Sequence, residues 1–361
     1  MWAAAPPCGT GIRLAGGLEA VDRRPTMADI ANRAGVSRMA VSYALNGRAG
    51  VSDELRERIV RIARELGFSA SAPARELRGA VVQAIGLTMR RPSSTAFNVE
   101  VFRRELISGI QSELMRHRFG LALQSVADAE DELAVYRRWS SERRVAGVLV
   151  CDLEVGDPRP AALEELDLPA VIIGGPPPGT TRLASIWSDD GRAIAEAVAY
   201  LAALGHRRTV HVGGPPQLLH SAVRSAAYGT ACAAAGIEPV VVPADYTGEM
   251  GAQVTRRLLS AAPPPTAVIY DNDVMAVAGL GVAMEMGIRV PDDLSIVAGD
   301  DSALCQVVRP PLTVLKRDIA GYGAHAAGLL LDVVDGGAPG AVLDHAAELV
   351  VRSSTAPAPR H

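Results

Sequence analysis

Three apolar runs of this 361-residue chain end on charged side chains. TAVIYDND closes on Asp271 and Asp273, LSIVAGDD on Asp300 and Asp301, and LTVLKRD on Lys316, Arg317 and Asp318. A carboxylate followed by further acids and a lysine is the equipment of covalent carboxylate catalysis. Without covalent chemistry the same groups make a polar floor for a ligand, because ligands in open α/β sheets bind outside the carboxyl ends of strands. A second constellation lies in AGVSRMAVSYALNG, from Ala34 to Gly47. In a helix, Val36, Ala40, Val41, Ala44 and Leu45 fall on one face and Arg38, Met39, Ser42, Tyr43 and Asn46 on the other. The first face suits a small core, and the second is placed to meet another molecule.

Other chemistries find little support. Cys8, Cys151, Cys232 and Cys305 are far apart and form no CxxC pair, which fits reduced thiols in a cytoplasm better than disulfides or a zinc site. The seven histidines lack ligand spacing; His206 and His211 are five apart with a strand start expected between them. No metal and no cofactor are expected.

With 48% hydrophobic and 21% charged residues the bulk of the chain should fold, and its length suits two or three domains. No apolar run reaches the roughly 20 residues of a membrane span. The opening MWAAAPPCGTGIRLAGGLEAVDRR lacks the positive start and continuous apolar stretch of a secretion signal, and residues 1–25 read as a disordered extension. The net charge of −4 is unevenly placed. Residues 26–78 hold nine arginines against six acidic residues, whereas the remainder from residue 79 is acidic. A basic head on an acidic body points to an anionic partner for the head.

Local signals divide the head into three helices. Thr26-Met-Ala-Asp29 has the form of a capping box, with a helix expected to about Arg33. Gly35 suits the left-handed turn that follows, and Ser37 can cap a second helix running to Leu45. A third, capped at Ser52, supplies Leu55, Ile59, Ile62, Ala63 and Leu66 to the core that Ile30 and Ala31 begin. Three such helices make a helix-turn-helix unit, with the second helix free to enter a DNA major groove. In SASAPARELRG, Ser71 can cap and Pro73 can start a helix of barely two turns, marginal on its own in water.

From Val81 onward β-rich runs alternate with amphipathic helical stretches: VVQAIGLTM, FGLALQSV, RVAGVLVC, PAVIIGG, RRTVHVGG, PVVVPAD, TAVIYDND, LSIVAGD and LTVLKRD. Continuous apolar strands suit parallel sheets covered on both faces, a doubly wound α/β architecture. About 280 residues is long for one sheet, so two lobes with a cleft between them are expected.

TMADIANRAGVSRMAVSYALNG and the following VSDELRERIVRIARELGF resemble the head of the lactose-repressor and galactose-repressor (LacI/GalR-type) family of transcription regulators. SDDGRAIAEAVAYLAALGHRR, VPDDLSIVAGDD and RPPLTVLKRD extend the likeness to about Arg352. The resemblance implies an N-terminal all-α helix-turn-helix head (26–70), a hinge helix (71–78) and an α/β two-lobed, periplasmic-binding-protein-like body (79–355). The N-lobe would comprise about 79–186 and 318–345, the C-lobe about 187–317 and 346–355, and residues 356–361 a tail.

Function follows as an expectation: a cytoplasmic homodimer that binds a palindromic double-stranded DNA operator, usually as a repressor, under control of a sugar-like effector bound between the lobes. By the same resemblance Arg38 and Met39 reach base edges, Ser37, Ser42 and Asn46 hold phosphates, and Thr26 and Tyr43 complete the contact set. Ala74 and Leu77 belong to the hinge helix, with Leu77 as an apolar wedge in the minor groove. Arg224 and Asp273 are the leading effector contacts, joined by Tyr246, Trp187, Phe97 and Arg317.

Four features depart from the family pattern. Tyr43 stands where arginine is common, Ser71 where asparagine is common, and Gly299 where an aromatic usually precedes the Asp pair. The loop TMRRPSSTAFN is long and basic, so Arg90 and Arg91 either suit an anionic effector or belong to a solvated loop. Two other classes stay in view. An extracytoplasmic solute-binding protein shares the two-lobed body but needs an export signal and has no helix-turn-helix. A haloacid-dehalogenase-like phosphatase matches the strand-end acids, but there the lysine precedes the G-D-D segment, and Lys316 follows it.

Overall fold

Thr26 opens the first helix: the Asp29 carboxylate accepts the Thr26 amide at 2.7 Å and its hydroxyl at 2.6 Å. Helix α1 (Met27–Ala34) ends at Gly35, whose φ of 66° lets its amide turn back onto the Ala31 carbonyl. In α2 (Arg38–Leu45) the Ser37 hydroxyl accepts the Ala40 amide at 3.1 Å. Helix α3 (Asp53–Glu65) is capped by Ser52. Ile30, Ala31, Ala34, Val41, Ala44, Ile59, Ile62 and Ala63 form the core. Two arginines of α3 take carbonyls at the ends of its neighbours, Arg58 that of Ala34 and Arg56 that of Ala44 at 3.2 Å, so polar groups that the helix ends leave open are satisfied.

The computed structural model describes residues 25–45, 49–66, 82–90, 101–175, 181–338 and 340–360. Residues 1–24, Asn46, the hinge segment with Ala74 and Leu77, Arg91 and Phe97 lie outside them. The chain divides into two compact units between Ala80 and Val81.

The second unit holds two sheets. The N-lobe sheet contains β1 (Ala84–Arg90), β2 (Gly120–Val126), β3 (Gly147–Val150), β4 (Ala170–Ile173), β5 (Ala184–Trp187) and, from far along the chain, β11 (Ala341–Leu343). Their order is β11-β5-β4-β3-β1-β2, with every pair parallel. The C-lobe sheet contains β6 (Thr209–Gly213), β7 (Val241–Pro243), β8 (Ala267–Tyr270), β9 (Ser295–Ala298), β10 (Thr313–Lys316) and β12 (Glu348–Val350). Their order is β12-β10-β9-β8-β6-β7, parallel except for the β10–β12 pair.

Helices cover both faces of each sheet. In the N-lobe, α4 (Val101–Arg116) and α12 (Ile319–Val334) bury Ile85, Leu87 and Leu149, while α5 (Ala129–Ser141) and α6 (Arg159–Glu165) bury Val148 and Val150. In the C-lobe, α9 (Gly248–Leu259) and α10 (Asp273–Glu285) cover Val268 and Tyr270. Ala267 and Ile269, pointing the other way, meet α7 (Asp190–Ala203) and α8 (Leu219–Ala234). Alternate residues of one strand therefore enter two cores, which is why these strands read as unbroken apolar runs. A short α11 (Ala303–Val307) follows β9.

Nine strands were expected from apolar runs, and twelve are present among the described residues. The additions, β5, β11 and β12, are three or four residues long, and β11 is exposed throughout. Residues 356–358, expected to belong to a tail, are anchored: the Ala356 carbonyl lies 3.0 Å from His206 Nε2, and the Ala358 amide donates to Leu204 O at 2.8 Å.

The backbone passes between the sheets three times, after Trp187, after Lys316 and after Leu343. A further link is made by segments distant in sequence. Glu154 pairs antiparallel with Leu218, the Val155 amide donates to Gln217 O at 3.0 Å, and the Leu219 amide donates to Leu153 O at 2.8 Å. No described helix is long and apolar enough to cross a membrane.

Candidate functional site

The carboxyl ends of β3, β4, β5, β8, β9 and β10 converge on a cavity of about 410 Å³. Arg224, from α8, and Arg317, after β10, both grip Asp190, the first residue of α7. Arg224 Nε lies 2.9 Å from Asp190 Oδ2, and Arg317 Nη1 lies 2.9 Å from Oδ1. Burial works to raise the Asp190 pKa, but the two guanidinium groups hold it below the usual carboxylate range. Asp271 is fixed by His211 Nε2 at 2.8 Å and the Gly214 amide at 2.8 Å, with Arg224 Nη1 at 3.8 Å. Burial opposes its charge, yet His211 and Arg224 prevail and keep it ionised well below the ordinary range.

Asp300 behaves differently. Burial pushes its pKa up to about 6; Arg317 and Arg224 pull it down, while Asp273 and Asp190 add to the rise. Arg317 Nε is 3.5 Å away, and the same guanidinium also serves Asp190. Asp273 opens α10 and is almost wholly buried, and its Oδ2 has no hydrogen-bond partner among the described residues. A buried polar atom without a partner is costly unless a ligand or water completes it.

Asp300 has a pKa raised above its unfolded value, so its contribution to stability is complete below about pH 4 and is lost as pH rises toward 6. Asp190 and Asp271 have the opposite sign and lose stability as pH falls through the carboxylate range. The difference in melting temperature between Asp300→Asn and the parent, followed by calorimetry from about pH 4.5 to pH 7, should therefore move in favour of the variant as pH rises. A difference that stays flat refutes the assignment.

Tyr246 lines the cavity in a left-handed backbone conformation (φ 67°). Its hydroxyl meets His220 Nε2 and Ser221 Oγ, each at 2.9 Å, and its carbonyl accepts from Asn272 Nδ2 at 2.9 Å. The ring fits because residue 214 is glycine; a Cβ there would lie 2.0 Å from Tyr246 Cζ. At Gly299 a Cβ would lie 2.2 Å from the Asp271 carbonyl oxygen, so this backbone excludes any side chain at that position.

The N-lobe wall carries Phe102, Arg103, Cys151 and Asp152. Arg103 pairs with Asp152 at 3.0 Å. Behind them Arg159, at 1% exposure, binds Asp157 at 2.6 Å and Glu132 at 2.8 Å, and donates to the carbonyls of Cys151 (3.0 Å) and Asp152 (2.8 Å). Thr88 and Tyr136 also direct hydroxyls at Glu132, each at 2.6 Å. Arg90 pairs with Glu132 at 3.2 Å and also with Glu154, while its Nη2 has no hydrogen-bond partner among the described residues.

In the head, Arg38 and Met39 are exposed near the start of α2, with Met39 at 65%. Tyr43 is half-buried, its ring 3.4 Å from where a Gly50 side chain would begin, so it is more enclosed than the outward face of α2 implied. Thr26 and Ser37 face their own helix starts through the bonds already described.

Residues 26–71 match the family model for bacterial regulatory proteins of the lacI family, and residues 198–355 match that for a periplasmic binding protein-like domain. The HTH-type transcriptional regulator AglR of Rhizobium meliloti (strain 1021) is 30% identical over 340 residues, covering 91% of this chain and 94% of AglR. The chain belongs to the LacI family.

As a LacI-family protein it is an HTH-type transcription regulator and not an enzyme. The phosphatase and solute-binding readings are thereby set aside. Among solved LacI-family structures, a complex of the regulator CelR with cellobiose is similar at 28% identity and a TM-score of 0.70, covering 92% of this chain and all of that one. The lac repressor dimer bound to operator and the anti-inducer ONPF is similar at 25% identity and a TM-score of 0.80, with the same coverage.

Of the effector candidates in this LacI-family chain, Arg224, Asp273, Tyr246, Trp187 and Arg317 all border the cavity. Sequence reasoning omitted Asp190, His220, Arg103 and Asp152 from that set. Asp190 had a usable signal, a paired Asp at a helix start following a short strand; His220, in PPQLLHSA, had none.

Proposed function

We propose that this regulator is a cytoplasmic homodimeric repressor that binds a palindromic operator through Arg38 and Met39 of α2 and is controlled by a neutral, polyhydroxylated effector of sugar type. The observation that carries the effector class is the buried, unpartnered Oδ2 of Asp273, a residue that lines the cavity. Six aspartates border that cavity against Arg103, Arg224 and Arg317, and each arginine is already paired with one of them. The surplus is acceptor capacity, so the complementary ligand brings hydroxyl hydrogens rather than negative charge. Phe102, Trp187 and Tyr246 supply flat apolar surface for a sugar ring. The CelR–cellobiose complex supports the same class, and the operator-bound lac repressor dimer supports the mode of DNA binding.

Effector closure of the two lobes would shift the equilibrium of the hinge segment through a difference in affinity between two states. The test is a thermal-shift screen against neutral mono- and disaccharides, sugar phosphates and nucleosides. A neutral saccharide at about 100 times its dissociation constant should add about 2.7 kcal/mol of stability. Asp273→Ala should weaken the affinity for that saccharide about tenfold or more, in line with the loss of a hydrogen bond to a charged group. Stabilisation by sugar phosphates alone sinks the proposed class.

A further inference from the structure

Outside the cleft the fold brings His325 beside the adjacent pair Asp344 and His345, all three with metal-ligating side chains. His325 lies on α12 of the N-lobe, whereas Asp344 and His345 begin the third crossing, between β11 and β12. The Nδ1 atoms of His325 and His345 lie 2.8 Å and 3.4 Å from the same oxygen, Asp344 Oδ1, and the three atoms fall within 4.8 Å of one another. The two imidazole rings are stacked, with centroids 6.0 Å apart and planes inclined by 26°.

We propose that His325, Asp344 and His345 bind a divalent transition-metal ion of zinc type. Nitrogen and oxygen ligands at about 2.0–2.2 Å from a tetrahedral ion stand about 3.3–3.5 Å apart, so side-chain rotations suffice to admit one. Two imidazoles and one carboxylate suit zinc, cobalt or nickel and not magnesium or calcium, which prefer all-oxygen shells. Asp344 is the inner ligand at 9% exposure, and the histidines are open to solvent, leaving a fourth position for water.

Main-chain bonds hold the site in place. The Asp344 amide donates to Trp187 O at 2.8 Å, and the His345 carbonyl accepts the Ser188 hydroxyl at 3.4 Å. The ion therefore joins α12 to the third crossing at the point where that crossing touches the first. Neither the cleft nor its effector enters this assignment.

The experiment is a calorimetric titration of tag-free, chelator-treated full-length protein with Zn²⁺, together with visible absorption of the Co²⁺-loaded protein. One ion per chain in the micromolar range and the intense bands of tetrahedral Co²⁺ are expected. His345→Ala, at an exposed position, should fold normally and weaken binding at least about tenfold, and His325→Ala should do the same. Absence of stoichiometric uptake, an octahedral Co²⁺ spectrum, or uptake that survives the double His325→Ala and His345→Ala change each overturns the assignment.

Discussion

In the proposed homodimer, Arg38→Ala should weaken operator binding at least about 30-fold, since the proposed contact, a guanidinium bidentate to guanine, discriminates by about 1–3 kcal/mol and is present in two copies. Arg38 is exposed on α2, while Val41 and Ala44 of the same helix lie in the head core. The substitution thus removes the proposed reader without disturbing the scaffold. Arg38→Lys should recover little, because an ammonium lacks the planar fork. Met39→Ala should give a smaller loss, as expected for one apolar contact. Fluorescence anisotropy at a single fixed salt concentration, with a palindromic duplex from near the protein's own gene and a scrambled duplex, separates base reading from phosphate attraction. An equal loss on both duplexes would falsify the base-reading role and make Arg38 a phosphate contact.

Arg159→Ala should lower the melting temperature of the two-lobed unit by roughly 6–20 °C, from about 3–5 kcal/mol for breaking a buried ion pair and about 2–4 °C per kcal/mol in a unit of this size. The cost does not arise from losing an attraction alone. Glu132 and Asp157, each at 1% exposure, would be left as buried carboxylates with their strongest partner gone. Burial already acts against the charge of Asp157, and Arg159 holds its pKa below the usual range. It follows that Arg159→Met combined with Glu132→Gln and Asp157→Asn should regain much of the loss, because no orphan charge remains. If the single variant unfolds too readily to study, that triple variant still tests the account by calorimetry. A triple variant less stable than Arg159→Ala contradicts it. Arg159 also holds the carbonyls of Cys151 and Asp152, so effector affinity should fall in the single variant as the cleft wall loosens.

The head was readable because its signals are local. Capping at Thr26 and Ser52, the left-handed Gly35 and the division of α2 into two faces involve residues within a turn of each other. Of the nine expected strands, β3, β4, β6, β8 and β9 are buried along their whole length, which is why they read as nearly unbroken apolar runs; β2 and β7 at the sheet edges are partly exposed. β11 escaped notice for the converse reason: an exposed edge strand of three residues carries neither a run nor an alternation. At the cleft, Asp273 stood out at a strand end, whereas His220 and Arg103 lie within helices and meet the cavity only through tertiary packing. The histidine and aspartate cluster shows the same limit, because His325 and His345 are joined by a helix end, a turn and a strand that no spacing rule encodes.

The contact between Leu153–Val155 and Gln217–Leu219 is built from peptide groups. Side-chain replacement at Glu154 or Leu218 leaves those amides and carbonyls intact, and only proline, or a change in loop length, removes them. The clasp across the cleft is thus largely indifferent to the identity of the residues that carry it. Neighbours such as His220 and Asp152 are free to diverge toward new ligands while this contact survives, so taste and grip can evolve separately in this scaffold.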